Sequence, residues 1–148
     1  MANTKIDGAD VFFYWVNSAP SNLEAINNYT KVGLVKSSSW QRTIDMLDAR
    51  DKDSAAGADD IPGDLSESIT LEMNWPVDDN AGQLLLHFAA DNETKGYWLF
   101  SDNVVGHFLR YGRGYVESMS ETFDDNSVAT CSVTIKVQGK STRSIINT

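Results

Sequence analysis

Cysteine is nearly missing from this chain of 148 residues. Cys131 stands alone, so an intrachain disulfide is excluded and a zinc site built on thiolates has no ligands to draw on. Proline is scarce, at three residues, and no apolar run approaches the roughly 20 residues that a membrane-crossing helix needs. The start, Met1-Ala2-Asn3-Thr4-Lys5, has no apolar stretch of the signal-peptide kind, so synthesis in a cytoplasm is expected. On that expectation the glycosylation sequons Asn28-Tyr29-Thr30 and Asn92-Glu93-Thr94 carry no meaning. Bases are also few: 12 Lys and Arg face 21 Asp and Glu, a formal net charge of −9. A surface that grips nucleic acid through its phosphates needs the opposite sign, and that class is set aside.

What is present is ordinary for one globular domain, 1–148, with short polar termini: 41% hydrophobic and 22% charged residues, enough to bury a core. Aromatics are plentiful and cluster in runs such as Val11-Phe12-Phe13-Tyr14-Trp15, which suits a pleated, half-buried surface. Val11–Val16 reads as a first strand, closed by the turn cluster Asn17-Ser18-Ala19-Pro20. A polar loop over Ser21–Asn28 precedes a long extended stretch, Tyr29–Met46, softly broken at Ser37-Ser38-Ser39. In Leu65–Trp75 the residues Ile69, Leu71, Met73 and Trp75 alternate with Ser68, Thr70, Glu72 and Asn74, the period of a sheet with one side on a core. Gly96–Phe100, Val104–Arg110 and Tyr115–Thr122 read as strands, with a turn or bulge at Tyr111-Gly112-Arg113-Gly114. The last strand is the clearest, Ala129, Cys131, Val133, Ile135 and Val137 alternating with Val128, Thr130, Ser132, Thr134 and Lys136 until Gly139 stops it.

One helix interrupts this pattern. Asp78-Asp79-Asn80 supplies N-cap candidates, and Ala81, Leu84, Leu85, Phe88 and Ala89 recur at the spacing of one helical face, which predicts a helix over 78–91 with those five residues on the core. The sum is a mostly β chain: an antiparallel β-sandwich or flattened barrel of about seven strands with one packed α-helix.

The segment 48–64 differs from the rest. It holds Asp48, Asp51, Asp53, Asp59, Asp60 and Asp64 with Arg50 among them, and Ile61 is its only large apolar residue. From Asp45 to Glu67 eight acids face two bases, which is −6 of the −9. The segment predicts a long projecting acidic loop, too long for an ordinary hairpin turn. Asp51 and Asp53 have the opening spacing of a calcium-binding EF-hand loop, but the glycine and closing glutamate are out of place, and a solvated loop accounts for it better.

No constellation advertises catalysis. His87 and His107 lack a second ligand at metal spacing, and no Gly-x-Ser-x-Gly elbow supports a triad. Cys131 falls on the apolar side of its strand and reads as a small core residue. We expect no enzyme, no metal and no cofactor. The polar strand faces are rich in Ser and Thr where an exposed sheet normally carries guarding charges, which suits a subunit whose strand edges are paired by neighbours.

In their order these features resemble a known family: the acidic loop, then Ser66-Glu67-Ser68-Ile69-Thr70-Leu71-Glu72, the helix Asp79-Asn80-Ala81-Gly82-Gln83-Leu84-Leu85, Gly112-Arg113-Gly114-Tyr115-Val116-Glu117-Ser118, and the closing Ser132-Val133-Thr134-Ile135-Lys136-Val137-Gln138-Gly139-Lys140. Over roughly residues 5 to 140 the chain resembles the major tail proteins, or tail tube proteins, of long-tailed bacteriophages. Some members carry a further immunoglobulin-like domain, which this sequence does not include. The resemblance implies a structural subunit of the virion tail, made in the host bacterial cytoplasm, that forms hexameric rings stacked into a tube for genome ejection. It implies an inner β-barrel shared by six subunits, with the helix outside, and a long loop that locks one ring to the next. By position that loop is 48–64. Implied partners are copies of itself and the tape measure, tail terminator and distal tail proteins, with double-stranded DNA passing through unbound and no membrane. Ser68, Thr70, Glu72, Thr130, Ser132 and Thr134 are then the candidate lumen-facing residues. Three other readings compete: a tube from a contractile injection system, a monomeric β-sandwich module binding a carbohydrate or apolar ligand through Trp15, Trp40, Trp75 and Trp98, and an enzyme.

Overall fold

Alternation along the strands sorts the side chains as a pleated sheet requires: Ile69, Leu71 and Met73 turn to one side and meet Cys131, Val133, Ile135 and Val137, all buried. The computed structural model describes residues 6–48, 60–75 and 81–146. Its strands are β1 (Phe12–Val16), β2 (Thr30–Lys31), β3 (Val35–Asp48), β4 (Asp60–Asn74), β5 (Gly96–Ser101), β6 (Phe108–Thr122) and β7 (Thr130–Ile145), with the helix α1 (Ala81–Asn92) between β4 and β5. Every pairing is antiparallel, in the order β2-β1-β5-β6-β7-β4-β3.

The two outer strands of that order are consecutive pieces of one segment. The Val32 amide donates to the Phe13 carbonyl beside β2, and the Asn74 amide donates to the Leu34 carbonyl beside β3, both at 2.9 Å. Only Gly33 lies between them, so the sheet closes on itself at residues 32–34 as a flattened barrel. The main core joins Phe13, Trp15 and Trp98 to the apolar residues of β4 and β7, with Leu86 and Ala89 entering from α1, which packs against β1, β2 and β6. A second cluster, Tyr14, Tyr29, Leu99, Leu109 and Ile146, lies on the other face of β1, β5 and β6, where Ile26 of the β1–β2 connection packs over it.

The sequence predicts seven strands and seven form, but two boundary errors offset each other. Tyr29–Met46 is two strands rather than one, broken at 32–34 where the segment passes from β1 to β4, while Ser37-Ser38-Ser39 lies inside β3. Conversely, β6 runs unbroken where two strands are expected. Of the turn or bulge expected at Tyr111–Gly114 it is the bulge that forms, the register with β7 shifting between Tyr111 and Arg113, and Gly112 also admits Trp98, whose ring atoms would come within 2.9 Å of an added Cβ. Gly139 does not end β7. Tyr111 pairs with Thr142 and Arg113 with Gln138, so residues 139–141 form a bulge, with Gly139 at φ +74°, and the strand continues.

The acidic loop and the helix face also need correction. Asp60–Asp64 is strand, not loop: Asp48 pairs with Asp60, Leu47 with Ile61 and Met46 with Pro62. Backbone pairing satisfies amides and carbonyls whatever the side chains carry, so polarity alone does not make a loop. Residues 49–59, with Arg50, Asp51, Asp53 and Asp59, lie outside the described residues, as do 76–80 ahead of α1. In α1 the buried residues are Gly82, Gln83, Leu86 and Ala89. Of the five residues expected on the core, Ala89 is buried and Leu85 packs partly against it, but Ala81, Leu84 and Phe88 are exposed. Close approach and hydrogen bonding set the helix's rotation. A Cβ at Gly82 would stand 2.3 Å from the Lys31 carbonyl oxygen, and the Gln83 amide donates to the Gly33 (2.7 Å) and Asn74 (3.3 Å) carbonyls at the seam where the barrel closes.

Candidate functional site

Strands β3, β4, β7 and β6 form a four-stranded sheet whose polar face is organised in rows. Ser39, Thr70, Thr134 and Ser118 stand side by side across it. Ser37, Glu72, Ser132 and Ser120 make the next row, and Gln41, Ser68, Lys136 and Tyr115 the row on the other side. Thr130 opposes Asn74 and Thr122 at one end. All six residues singled out from the sequence (Ser68, Thr70, Glu72, Thr130, Ser132, Thr134) therefore share one face. Within those three rows the only charges are Glu72, which meets Lys36 at 3.7 Å, and Lys136. The opposite face of the same strands is the core, which explains the alternation.

Both outer edges of this four-stranded sheet lack a strand partner among the described residues. β3 pairs with β4 alone from Ser37 to Asp48. β5 meets β6 only from Arg110 to Gly114, so Tyr115–Thr122 pairs with β7 alone. Each edge presents backbone amides and carbonyls ready for another strand. Beyond the sheet, β3 and the first part of β4 continue as a two-stranded ribbon, since β4 pairs with β7 only from Ser68 onward. Ile44, Met46 and Leu47 on this ribbon are exposed by 43%, 55% and 53%, far more than apolar side chains with a core beneath them.

A residue that sequence reasoning missed stands where the ribbon leaves the sheet. Glu67 is 1% exposed, a charge in the apolar register of Ile69 and Leu71. Its Oε1 accepts from Trp40 Nε1 (2.8 Å) and Ser141 Oγ (2.5 Å), and its Oε2 from the Ser141 amide (3.0 Å) and Arg42 Nη2 (3.4 Å). Arg110 donates to Ser141 Oγ (3.0 Å) and stacks on the Trp40 ring at 3.8 Å. Burial alone would raise the Glu67 pKa, but the hydrogen bonds from Ser141 and Trp40 and the Arg42 charge together hold it below its ordinary value. The sequence signal was available: an acid where alternation puts core.

Elsewhere the chemistry is sparse. Cys131 is buried, and burial pushes its thiol pKa up, as suits a core residue. His107 is bound to Asp102, and His87 lies edge-on to Trp75. Among the described residues no three His, Cys, Asp or Glu side chains group as metal ligands, and no helix is long and apolar enough to cross a membrane. Of the four tryptophans proposed as a binding surface, Trp15 and Trp98 are wholly buried, Trp40 belongs to the Glu67 network, and Trp75 is half exposed against Phe123. They form no common platform.

The sequence matches no protein-family model and no curated relative. Solved structures are different. The SPP1 tail tube superposes with a TM-score of 0.74 at 16% identity, over 97% of this chain and 81% of that one. The chain has the tail tube fold. A gene transfer agent tail solved with C6 symmetry gives a TM-score of 0.73 at 12% identity, covering 95% of this chain and 99% of its own. A six-fold symmetrised baseplate of the anti-feeding prophage gives 0.70 at 9% identity over 100% of both chains. At such identities the tail tube fold is shared while the surface chemistry is this chain's own.

Proposed function

We propose that this chain is the subunit of a phage tail tube, six copies closing into a ring and rings stacking into a channel for DNA delivery. The observation that carries this reading is the pair of unpartnered edges on one hydroxyl-rich sheet, Ser37–Asp48 of β3 and Tyr115–Thr122 of β6. Pairing the β6 edge of one subunit with the β3 edge of the next would satisfy both and close a ring, the heterologous contact that cyclic symmetry needs. Six-fold symmetry in two of the structural neighbours supports the copy number. The polar rows would then form the lumen wall. Hydroxyls hydrate well and hold phosphate weakly; Glu72 offsets Lys36, which leaves Lys136 as the single uncompensated charge on the rows, so little grips a polyanion as it slides past. The ribbon and the segment 48–64 would reach the next ring. The role is structural, with no catalytic step, in the virion tail beside the tape measure, tail terminator and distal tail proteins.

Negative-stain electron microscopy of the concentrated protein tests the class: hollow tubes or six-fold rings are expected. Monomeric particles at every concentration, even after seeding with preformed tail ends, would remove the reading. A tube map with Lys136 on the outer wall would keep the tube and overturn the lumen assignment.

A further inference from the structure

We propose that Glu67 is a positioning residue for assembly, its buried carboxylate fixing the direction in which the β3–β4 ribbon leaves the barrel. The proposal rests on the tail tube reading, since the ribbon's direction matters only if it must meet a neighbour. The argument begins with the fork in the sheet. From Ser68 onward β4 is held on both sides, by β3 and β7; before it, by β3 alone. Glu67 stands at that branch, and its four donors come from both arms: Trp40 and Arg42 from β3, the Ser141 amide and hydroxyl from β7.

An apolar side chain of similar volume would fill the same space without the desolvation cost of a buried charge. It would not fix an angle. A carboxylate does, because each oxygen takes two donors from set directions and all four must be met at once. The β7 bulge at 139–141 brings Ser141 to the fork, so the main-chain irregularity and the buried acid belong to one device. Past the fork no core restrains the ribbon among the described residues, as the exposure of Ile44, Met46 and Leu47 shows. The seven steps from Glu67 to Asp60 span roughly 23 Å at strand rise, so a rotation of about 15° at the root moves the far end about 6 Å, more than a side-chain contact tolerates.

The test compares Glu67→Gln with a core variant, Leu99→Val, in the second cluster, which holds none of the Glu67 partners, and lowering the melting temperature at least as much. In the free Glu67→Gln subunit, amides at 43–47 and 63–66 are expected to exchange roughly tenfold faster or more, the rest unchanged. Its critical concentration for tube formation should rise about tenfold or more, while Leu99→Val assembles near the wild-type concentration. Equal assembly by the two variants, or unchanged ribbon exchange, overturns the proposal. If wild-type protein forms no tubes, the tail tube reading fails, and the exchange comparison still decides whether Glu67 orients the ribbon. Should Glu67→Gln not fold, Ser141→Ala, which keeps the carboxylate and removes one donor, serves in the same comparison.

Discussion

Along the single strand β4, the half after Glu67 and the half before it live in different surroundings. Ile69, Leu71 and Met73 are fully buried between two partner strands and a packed core. Asp60–Ser66 has one partner strand, and the β3 residues opposite carry exposed apolar side chains at Ile44, Met46 and Leu47. The first half explains why the subunit folds. The second has hydrogen bonds and greasy side chains but no interior, and in a monomer it gains little from either. On the proposed tube, a neighbouring subunit would supply the surface this ribbon lacks.

The largest blow to this contrast would come from the buried half. Leu71→Ala should cost about 2–5 kcal/mol in chemical denaturation of the subunit, the range for an emptied core site. A loss under about 1 kcal/mol would mean that stability is not concentrated there. Acid should act next, at the boundary between the halves. The folded Glu67 pKa lies below the ordinary 4.5, so its ionised form contributes stability that is fully present above that value. That contribution is lost as pH falls through 4.5 toward the folded pKa. Urea midpoints followed from about pH 6 to about pH 3 should fall less steeply in Glu67→Gln than in wild type, and parallel curves would break the assignment. The smallest effect belongs to the ribbon: Leu47→Ser and Met46→Ser should change monomer stability by no more than about 0.5 kcal/mol, yet reduce tube yield in sedimentation. Substitutions there that unfold the monomer would erase the contrast altogether.

Much of the root of the sheet was legible because alternation reports a half-buried strand directly, and Ile69 to Met73 and Cys131 to Val137 obey it without exception. The helix shows where the method runs out. Leu84 and Phe88, two of its four large apolar residues, sit outside, while Gln83 is buried because its amide reaches two main-chain carbonyls. Periodicity weighs side chains by their aversion to water and cannot see a carbonyl waiting across a seam. Glu67 is the converse: alternation marks its position as core, while the partners that keep an acid there come from a bulge about 70 residues later in the chain. The six polar-face residues were found together because they share a strand parity, but parity has no knowledge of what lies beyond the subunit.

The position of β7 has a consequence for the order of synthesis. It follows the other six strands in the chain yet lies between β6 and β4 in space. Without β7 the remaining pairings fall into two groups, β2-β1-β5-β6 and β4-β3, joined only where residues 32–34 bridge β1 and β4. The hydroxyl-rich surface becomes one continuous sheet only when β7, the last of the seven strands, takes its place in the middle.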